Sequence, residues 1–171
     1  MKVLVIYSTR GGVSKECAEM LTERIRSSFD VQIYNIEEEP PSPDEFDVVV
    51  IGGSVRMAKI NKNLKKYLKN HSTELNSKHT AIFLCCGFTE SFDDYVSSQI
   101  PKQIIPSLGI HCFGGELKPQ KLKGMDKLIV KLIRSEIRGA DFEAHEDTRP
   151  PLPEIIPENI HRLADKIRGL L

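Results

Sequence analysis

Hydroxyl and glycine residues follow directly on a short apolar run near the start of the chain. The run, residues 3–7, is too short for a helix, and a segment of helical period begins at Val13. Hydroxyl groups next to the first turn of a helix suit a phosphate, because the N–H groups of that turn lack intrahelical acceptors and carry partial positive charge. The sequence therefore predicts a phosphate-binding loop composed of Ser8, Thr9, Arg10, Gly11, Gly12, Val13 and Ser14.

Two well-known nucleotide loops do not fit this stretch. A Walker loop requires a Gly-Lys-Ser/Thr ending, and the dinucleotide fold requires Gly-x-Gly-x-x-Gly, and residues 8–15 contain neither. The simplest alternative is a strand-to-helix turn without a ligand, in which Ser14 caps the helix. Both the phosphate site and the ligand-free turn stay open from the residues alone.

The elements that must position this loop alternate between strand and helix. Continuous apolar runs predict buried strands, and apolar residues at spacings of three and four predict amphipathic helices. The predicted strands are 3–7, 31–36, 46–51, 80–86 and 109–117, and the predicted helices are 13–28, 60–71, 123–138 and 158–171.

This alternation predicts an α/β fold, with one parallel sheet between two layers of helices. In the five-stranded form with order 2-1-3-4-5, a crevice opens at the carboxyl ends of the first and third strands. The loop 8–14 ends the first strand, and a second glycine-containing loop, 52–57, ends the third. Glycines at a strand end let a flat ligand approach the backbone. We expect a single domain over 1–171, with both loops at one site.

Composition excludes several classes of function. The chain has 24 acidic and 24 basic residues, so its net charge gives no attraction to nucleic acid. No apolar run approaches the ~20 residues of a membrane span, and the N-terminus does not read as a signal peptide. Its five scattered histidines give no Ser/His/Asp arrangement and no metal site. We therefore expect a cytoplasmic protein.

The four cysteines have no Cys-x-x-Cys spacing and resemble small apolar core residues in a reduced protein. Cys85 and Cys86 are adjacent at a strand end, where a redox role is the alternative. A disulfide between neighbouring residues would be strained.

The whole chain resembles single-domain flavodoxin-like proteins, on the loop 8–14 and on the loops that follow the third and fourth strands. Within that group it is similar to the menaquinone-dependent protoporphyrinogen IX dehydrogenases. The shared motifs are a Tyr/Phe-Ser-Thr-Arg-x-Gly loop (7–12), a Val-Val-Ile-Gly-x-Ser-x-Arg strand and loop (49–56) and an Asp-x-x-x-x-Lys-Leu-Ile helix (126–133). It departs from them in a short, acidic segment at 87–99 and in Met57, where an aromatic residue is expected.

The resemblance implies a flavodoxin-like three-layer α/β/α sandwich that binds flavin mononucleotide (FMN). It implies that the ring lies between two loops made of Gly53, Ser54, Val55, Arg56, Met57, Cys86, Gly87 and Phe88. Phe88 would stack on the ring, and Met57 would offer a sulfur contact.

Three functions stay open after this resemblance. The first is electron transfer between a redox partner protein and an acceptor. The second is protoporphyrinogen IX oxidation with a quinone, in which the basic, apolar segment 125–138 contacts a membrane surface from the cytoplasmic side. The third is a binding module that keeps the fold without the flavin.

Overall fold

The computed structural model describes residues 1–115 and 154–171. The predicted helix 123–138, the motif 126–133 and the membrane-contact segment 125–138 lie outside the described residues. Within the described ranges the strands are β1 Lys2–Ser8, β2 Asp30–Asn35, β3 Val48–Ser54, β4 His79–Cys85 and β5 Gly109–Cys112. The helices are α1 Val13–Ile25, α2 Lys62–Asn70, α3 Ser72–Ser77, α4 Phe92–Gln99 and α5 Pro157–Arg168.

The five strands form one parallel sheet in the order β2-β1-β3-β4-β5. This confirms the predicted order. Ser8 at the end of β1 is paired with Gly53, and Ser54 at the end of β3 is paired with Cys85. The carboxyl ends of β1, β3 and β4 therefore lie side by side.

The core occupies both faces of the sheet, because side chains alternate along each strand. On one face, Val5, Val50 and Phe83 pack with α1 and α5, and on the other, Ile6 and Ile51 pack with α2 and α3. On β1, β3 and β4, the residues next to those just named are also buried. The sheet is thus covered on both sides, which confirms the three-layer α/β/α sandwich.

Helix α1 is held close to the end of β1 by its apolar stripe. Cys17, Leu21 and Ile25 are fully buried against the sheet, beside Leu163 and Ile167 of α5. Only Thr9 to Gly12 separate β1 from α1, so the packing of α1 fixes where its N-terminus points. Among the described residues, no helix is long and apolar enough to cross a bilayer.

Several predicted boundaries differ from the structure: the helix predicted at 13–28 ends at Ile25, and the helix predicted at 158–171 ends at Arg168. Three further differences lie at or near the loops. Strand β3 continues through Gly52 and Gly53 to Ser54, so these glycines belong to the sheet instead of the loop. Strand β5 ends at Cys112 instead of residue 117, because Gly114, with φ +71°, turns the chain to form a bridge with Ile155.

The third difference concerns the helix predicted at 60–71. Asn61 accepts hydrogen bonds from the N–H groups of Asn63 and Leu64, so α2 begins at Lys62. It ends before His71, and the short helix α3 follows. A side chain that caps a helix start marks the boundary more strongly than the apolar spacing does.

At Gly52 the sheet leaves no room for a side chain. A Cβ there would overlap the ring and the carbonyl oxygen of Phe83, whereas a Cβ on Gly11 would meet no atom of the described residues within 4 Å. We expect Gly52→Ala to lower the free energy of unfolding by about 1–3 kcal/mol through overpacking. Gly11→Ala is the control and should change it by less than about 0.5 kcal/mol. Urea denaturation measures both, and equal effects would contradict this packing.

Candidate functional site

The loops predicted to form the site meet at the carboxyl edge of the sheet. Thr9 to Gly12 follow β1, Val55 to Ile60 follow β3, and Cys86 to Phe88 follow β4. Since β1, β3 and β4 are neighbours in register, the three loops are adjacent. Sequence segments almost 80 residues apart therefore border one region.

The first loop is organised by Thr9 and Gly12. Thr9 Oγ1 accepts a hydrogen bond from the Gly12 N–H at 2.9 Å, and Gly12 is the N-cap of α1 with φ 94°. The Thr9 hydroxyl proton is not used in this contact. Positive φ at Gly12 is the reason that a glycine fits there.

The predicted capping role of Ser14 is wrong, because Gly12 is the N-cap of α1. Ser14 is the second residue of α1, and its side chain is buried. Its Oγ has no hydrogen-bond partner in the described part of the chain. At the loop Ser14 therefore offers its backbone N–H, which belongs to the first helical turn and has no intrahelical acceptor.

Ser8 and Gly53 form the closest contact between the two glycine-containing segments. A Cβ on Gly53 would overlap Ser8 Oγ and would lie 3.2 Å from Leu64 Cδ2. The Ser8 hydroxyl thus fills the space above Gly53, and Ser8 is 2% exposed. A side chain at position 53 would displace this hydroxyl.

The second loop is a tight β-hairpin that the sequence did not reveal. Val55 N–H donates to the Cys85 carbonyl at 2.9 Å, and Arg56 and Lys59 exchange two backbone hydrogen bonds of 2.9 Å each. Met57 and Ala58 between them have φ 49° and φ 58°. Positive φ at both central residues defines a type I′ turn, which normally contains Asn-Gly. Because Met-Ala has no such signal, pattern reading could not find it.

Two apolar side chains stand exposed at this edge. Met57 at the hairpin tip is 77% exposed, and Phe88 in the third loop is 45% exposed. Arg10 is exposed on the first loop, and Lys15 is exposed on α1, where it forms a 3.6 Å ion pair with Glu19. The edge therefore combines cationic and apolar groups.

The remaining predicted residues line the same edge with less side-chain exposure. Partly exposed are Thr9, Gly11, Gly12, Ser54, Val55, Arg56 and Gly87, while Ser8, Val13, Ser14, Gly53 and Cys86 are buried.

Two further properties of this edge concern its ionisable groups. Burial raises the pKa of Tyr7, directly before the first loop, so that phenol stays neutral. In residues 1–115 and 154–171, no three His, Cys, Asp or Glu side chains are grouped to hold a metal ion.

The adjacent thiols of Cys85 and Cys86 belong to different pairs. Cys85 Sγ lies 3.7 Å from Cys17 Sγ, and Cys86 Sγ lies 3.6 Å from Cys112 Sγ. Sequence reasoning missed this pairing, because it depends on the positions of α1 and β5 in the fold.

Comparison with known proteins identifies relatives of the chain. The family model described as "Flavodoxin domain" matches residues 4–144. The protoporphyrinogen IX dehydrogenase [quinone] of Escherichia coli (strain K12) is 32% identical over 156 residues, which cover 86% of each chain.

Solved structures show the same fold at low sequence identity. A flavodoxin from the domain Archaea has a TM-score of 0.50 at 16% identity, covering 79% of this chain and 98% of that one. A flavodoxin from Streptococcus pneumonia TIGR4 has a TM-score of 0.51 at 10% identity, covering 100% of both. These likenesses support the fold alone.

The hairpin tip gives a testable prediction about strain. A left-handed conformation costs a non-glycine residue about 1–2 kcal/mol, while glycine costs about 0.5–1 kcal/mol more chain entropy than alanine. We expect Ala58→Gly to raise the free energy of unfolding by about 0.5–1 kcal/mol on that balance.

The matched control makes the same change inside a regular helix. Ala164→Gly in α5 should lower the free energy of unfolding by at least about 1 kcal/mol, because glycine is a poor helix former. Urea denaturation measures both variants. Destabilisation by Ala58→Gly of the same size would show that position 58 does not hold a left-handed conformation.

Proposed function

The chain belongs to the flavodoxin domain family, and we propose that it binds FMN and works as a redox protein. The single observation that carries this proposal is the meeting of three loops at one sheet edge, which also holds a helix N-terminus and two exposed apolar side chains. An anion with a flat ring attached fits such an edge, since the two parts need opposite environments.

The first loop supplies the groups for the phosphate. The hydroxyl proton of Thr9 and the first backbone N–H groups of α1 are donors without a partner in the helix or the loop. Arg10 is exposed and adds positive charge, and Gly11 leaves open space where a side chain would stand. The arrangement favours a dianion over a neutral group.

The second and third loops supply the surfaces for the ring. Met57 and Phe88 are apolar and largely exposed, and the hairpin that carries Met57 is fixed by two backbone hydrogen bonds. Phe88 offers an aromatic face, and Met57 offers a polarizable sulfur. Covering these side chains with a ligand ring would remove apolar surface from water.

The flavin, when bound, supplies the chemistry by accepting and releasing one or two electrons. The protein would hold the phosphate at the end of β1, orient the ring between Met57 and Phe88, and exclude water from the buried side near Ser8 and Gly53. None of these roles requires a general acid or base. The electron donor and acceptor are then a redox partner protein or a quinone.

A second candidate function is the oxidation of protoporphyrinogen IX with a quinone. It is favoured by the 32% identity to the Escherichia coli enzyme of that name over 86% of both chains. Membrane contact through 125–138 would belong to this function, and that segment lies outside the described residues.

We expect the apoprotein to quench the fluorescence of added FMN at micromolar concentration. Because riboflavin has the same ring without the phosphate, FMN should bind at least about tenfold more tightly than riboflavin. Arg10→Ala should weaken FMN binding about two- to fivefold and leave riboflavin binding unchanged.

Lys102→Ala is the control for the loss of one exposed positive charge. Lys102 lies before β5, at the opposite edge of the sheet, so FMN affinity should not change. If neither flavin binds at micromolar concentration, the chain is a binding module without flavin. Equal affinity for FMN and riboflavin would instead contradict the phosphate role of 8–14.

The second function has its own assay. The FMN-loaded protein should oxidise protoporphyrinogen IX anaerobically when a menaquinone analogue is present, measured by porphyrin fluorescence. A rate equal to that of the quinone alone would remove this function and leave electron transfer with a partner protein.

A further inference from the structure

Cys86 and Cys112 form a thiol pair at the border of the candidate site. Cys112 is the register partner of Leu84, and Cys86 follows Leu84 by two residues, so both cysteines belong to the same face of the sheet. Their Sγ atoms are 3.6 Å apart. A disulfide requires the two sulfurs to move closer by about 1.5 Å, which side-chain rotation can supply.

The backbone around this pair is already held together. Phe113 N–H donates to the Leu84 carbonyl at 3.0 Å, and Asn159 of α5 donates to the Cys112 carbonyl at 2.7 Å. A Cβ on Gly115 would lie 2.7 Å from the carbonyl carbon of Cys86. The two segments are thus in direct contact. A disulfide would form without a change in the distance between their backbones.

The other thiol pair has a similar distance and a different environment. Cys17 and Cys85 are 0% and 3% exposed in the core, out of reach of a dissolved reagent. The hydrogen bond with Cys17 and the burial raise the pKa of the Cys85 thiol, so it stays protonated. This pair packs like small apolar residues and serves as an internal control.

Cys112 differs because it is partly exposed, whereas Cys86 is 3% exposed. The Cys86 thiol and the Gly114 N–H stabilise its thiolate and hold the pKa of Cys112 below the ordinary value. The same bond, together with burial, raises the pKa of Cys86, and the Glu90 carboxylate adds to this effect. Because a dissolved disulfide reaches the partly exposed Cys112 before the buried Cys86, Cys112 is the attacking thiol and Cys86 is the resolving thiol.

We propose that Cys86 and Cys112 are a redox-active dithiol that reduces small-molecule disulfides such as glutathione disulfide. The Cys112 thiolate attacks one sulfur of the disulfide, forms a mixed disulfide and releases one thiolate. Cys86, after losing its proton, attacks Cys112 Sγ and releases the second thiolate. Two protein thiols become one disulfide, and their two protons end on two molecules of small thiol.

This activity does not depend on the flavin. The disulfide would tie the end of β5 to the segment that carries Gly87 and Phe88. The thiol state of the environment would then act on the third loop of the candidate site.

The test uses the full-length chain in glutathione buffers that range from reducing to oxidising. After acid quenching, denaturation and maleimide labelling, intact mass gives the number of thiols. We expect two of the four thiols to disappear together, and peptide mapping to find the Cys86–Cys112 disulfide. Persistence of four thiols in the oxidising buffer, or a mapped Cys17–Cys85 disulfide, would overturn the proposal.

Two variants separate the roles of the sulfurs. Cys86→Ala should accumulate one glutathione on Cys112, since the resolving thiol is missing, whereas Cys112→Ala should keep its three thiols. Cys17→Ala is the matched control and should still form the Cys86–Cys112 disulfide. If a variant fails to fold by circular dichroism, the mapping of the wild-type chain decides alone.

A pH profile tests the assigned order of attack. The thiolate is the reactive form, so iodoacetamide labelling of Cys112 should rise with pH and reach half its maximum rate below the midpoint of free glutathione. Cys86→Ala removes the neighbouring thiol that lowers the pKa of Cys112, so the midpoint should shift to higher pH. A midpoint at or above that of glutathione in the wild-type chain would contradict Cys112 as the attacking thiol.

Discussion

The parallel register of β1, β3 and β4 is the constraint on which the rest of the site depends. Ser8 is paired with Gly53, and Ser54 is paired with Cys85, so the three strands end at nearly the same height. The absence of a side chain at Gly53 leaves room for the Ser8 hydroxyl above β3. A shift of one residue would turn each buried side chain to the opposite face, so burial on both faces fixes this register.

Around that fixed edge, the loops are held by different contacts. The first loop joins two packed elements through one hydrogen bond from Gly12 to Thr9. The hairpin after β3 holds Met57 and Ala58 in left-handed conformations, each at a cost in free energy. Non-glycine residues persist in such conformations where the surrounding structure fixes them, here the two backbone hydrogen bonds between Arg56 and Lys59. The hairpin thereby holds Met57 exposed at the edge of the sheet.

The sheet order and the site edge could be predicted from the sequence, because both depend on local signals. Apolar runs end at glycine or hydroxyl residues, as in Ser8 and Gly52, and the alternation of strands and helices limits the topology. The type I′ turn could not be predicted, since Met57 and Ala58 lack its usual residues. The two thiol pairs were also hidden, because they depend on which strands become neighbours. Gly12 is the N-cap instead of Ser14, and the Gly12 N–H donates a hydrogen bond to Thr9 Oγ1 within the loop. Residue types alone do not predict that bond.

The central claim is that one ligand contacts all three loops at the carboxyl edge of the sheet. Amide ¹H–¹⁵N spectra of the full-length protein during addition of FMN test this claim most directly. The account predicts that signals of residues 11–14, 55–58 and 87–88 shift together, while those of 72–79 and 101–108 at the opposite edge stay in place. Shifts confined to the opposite edge, or to one loop alone, would contradict it.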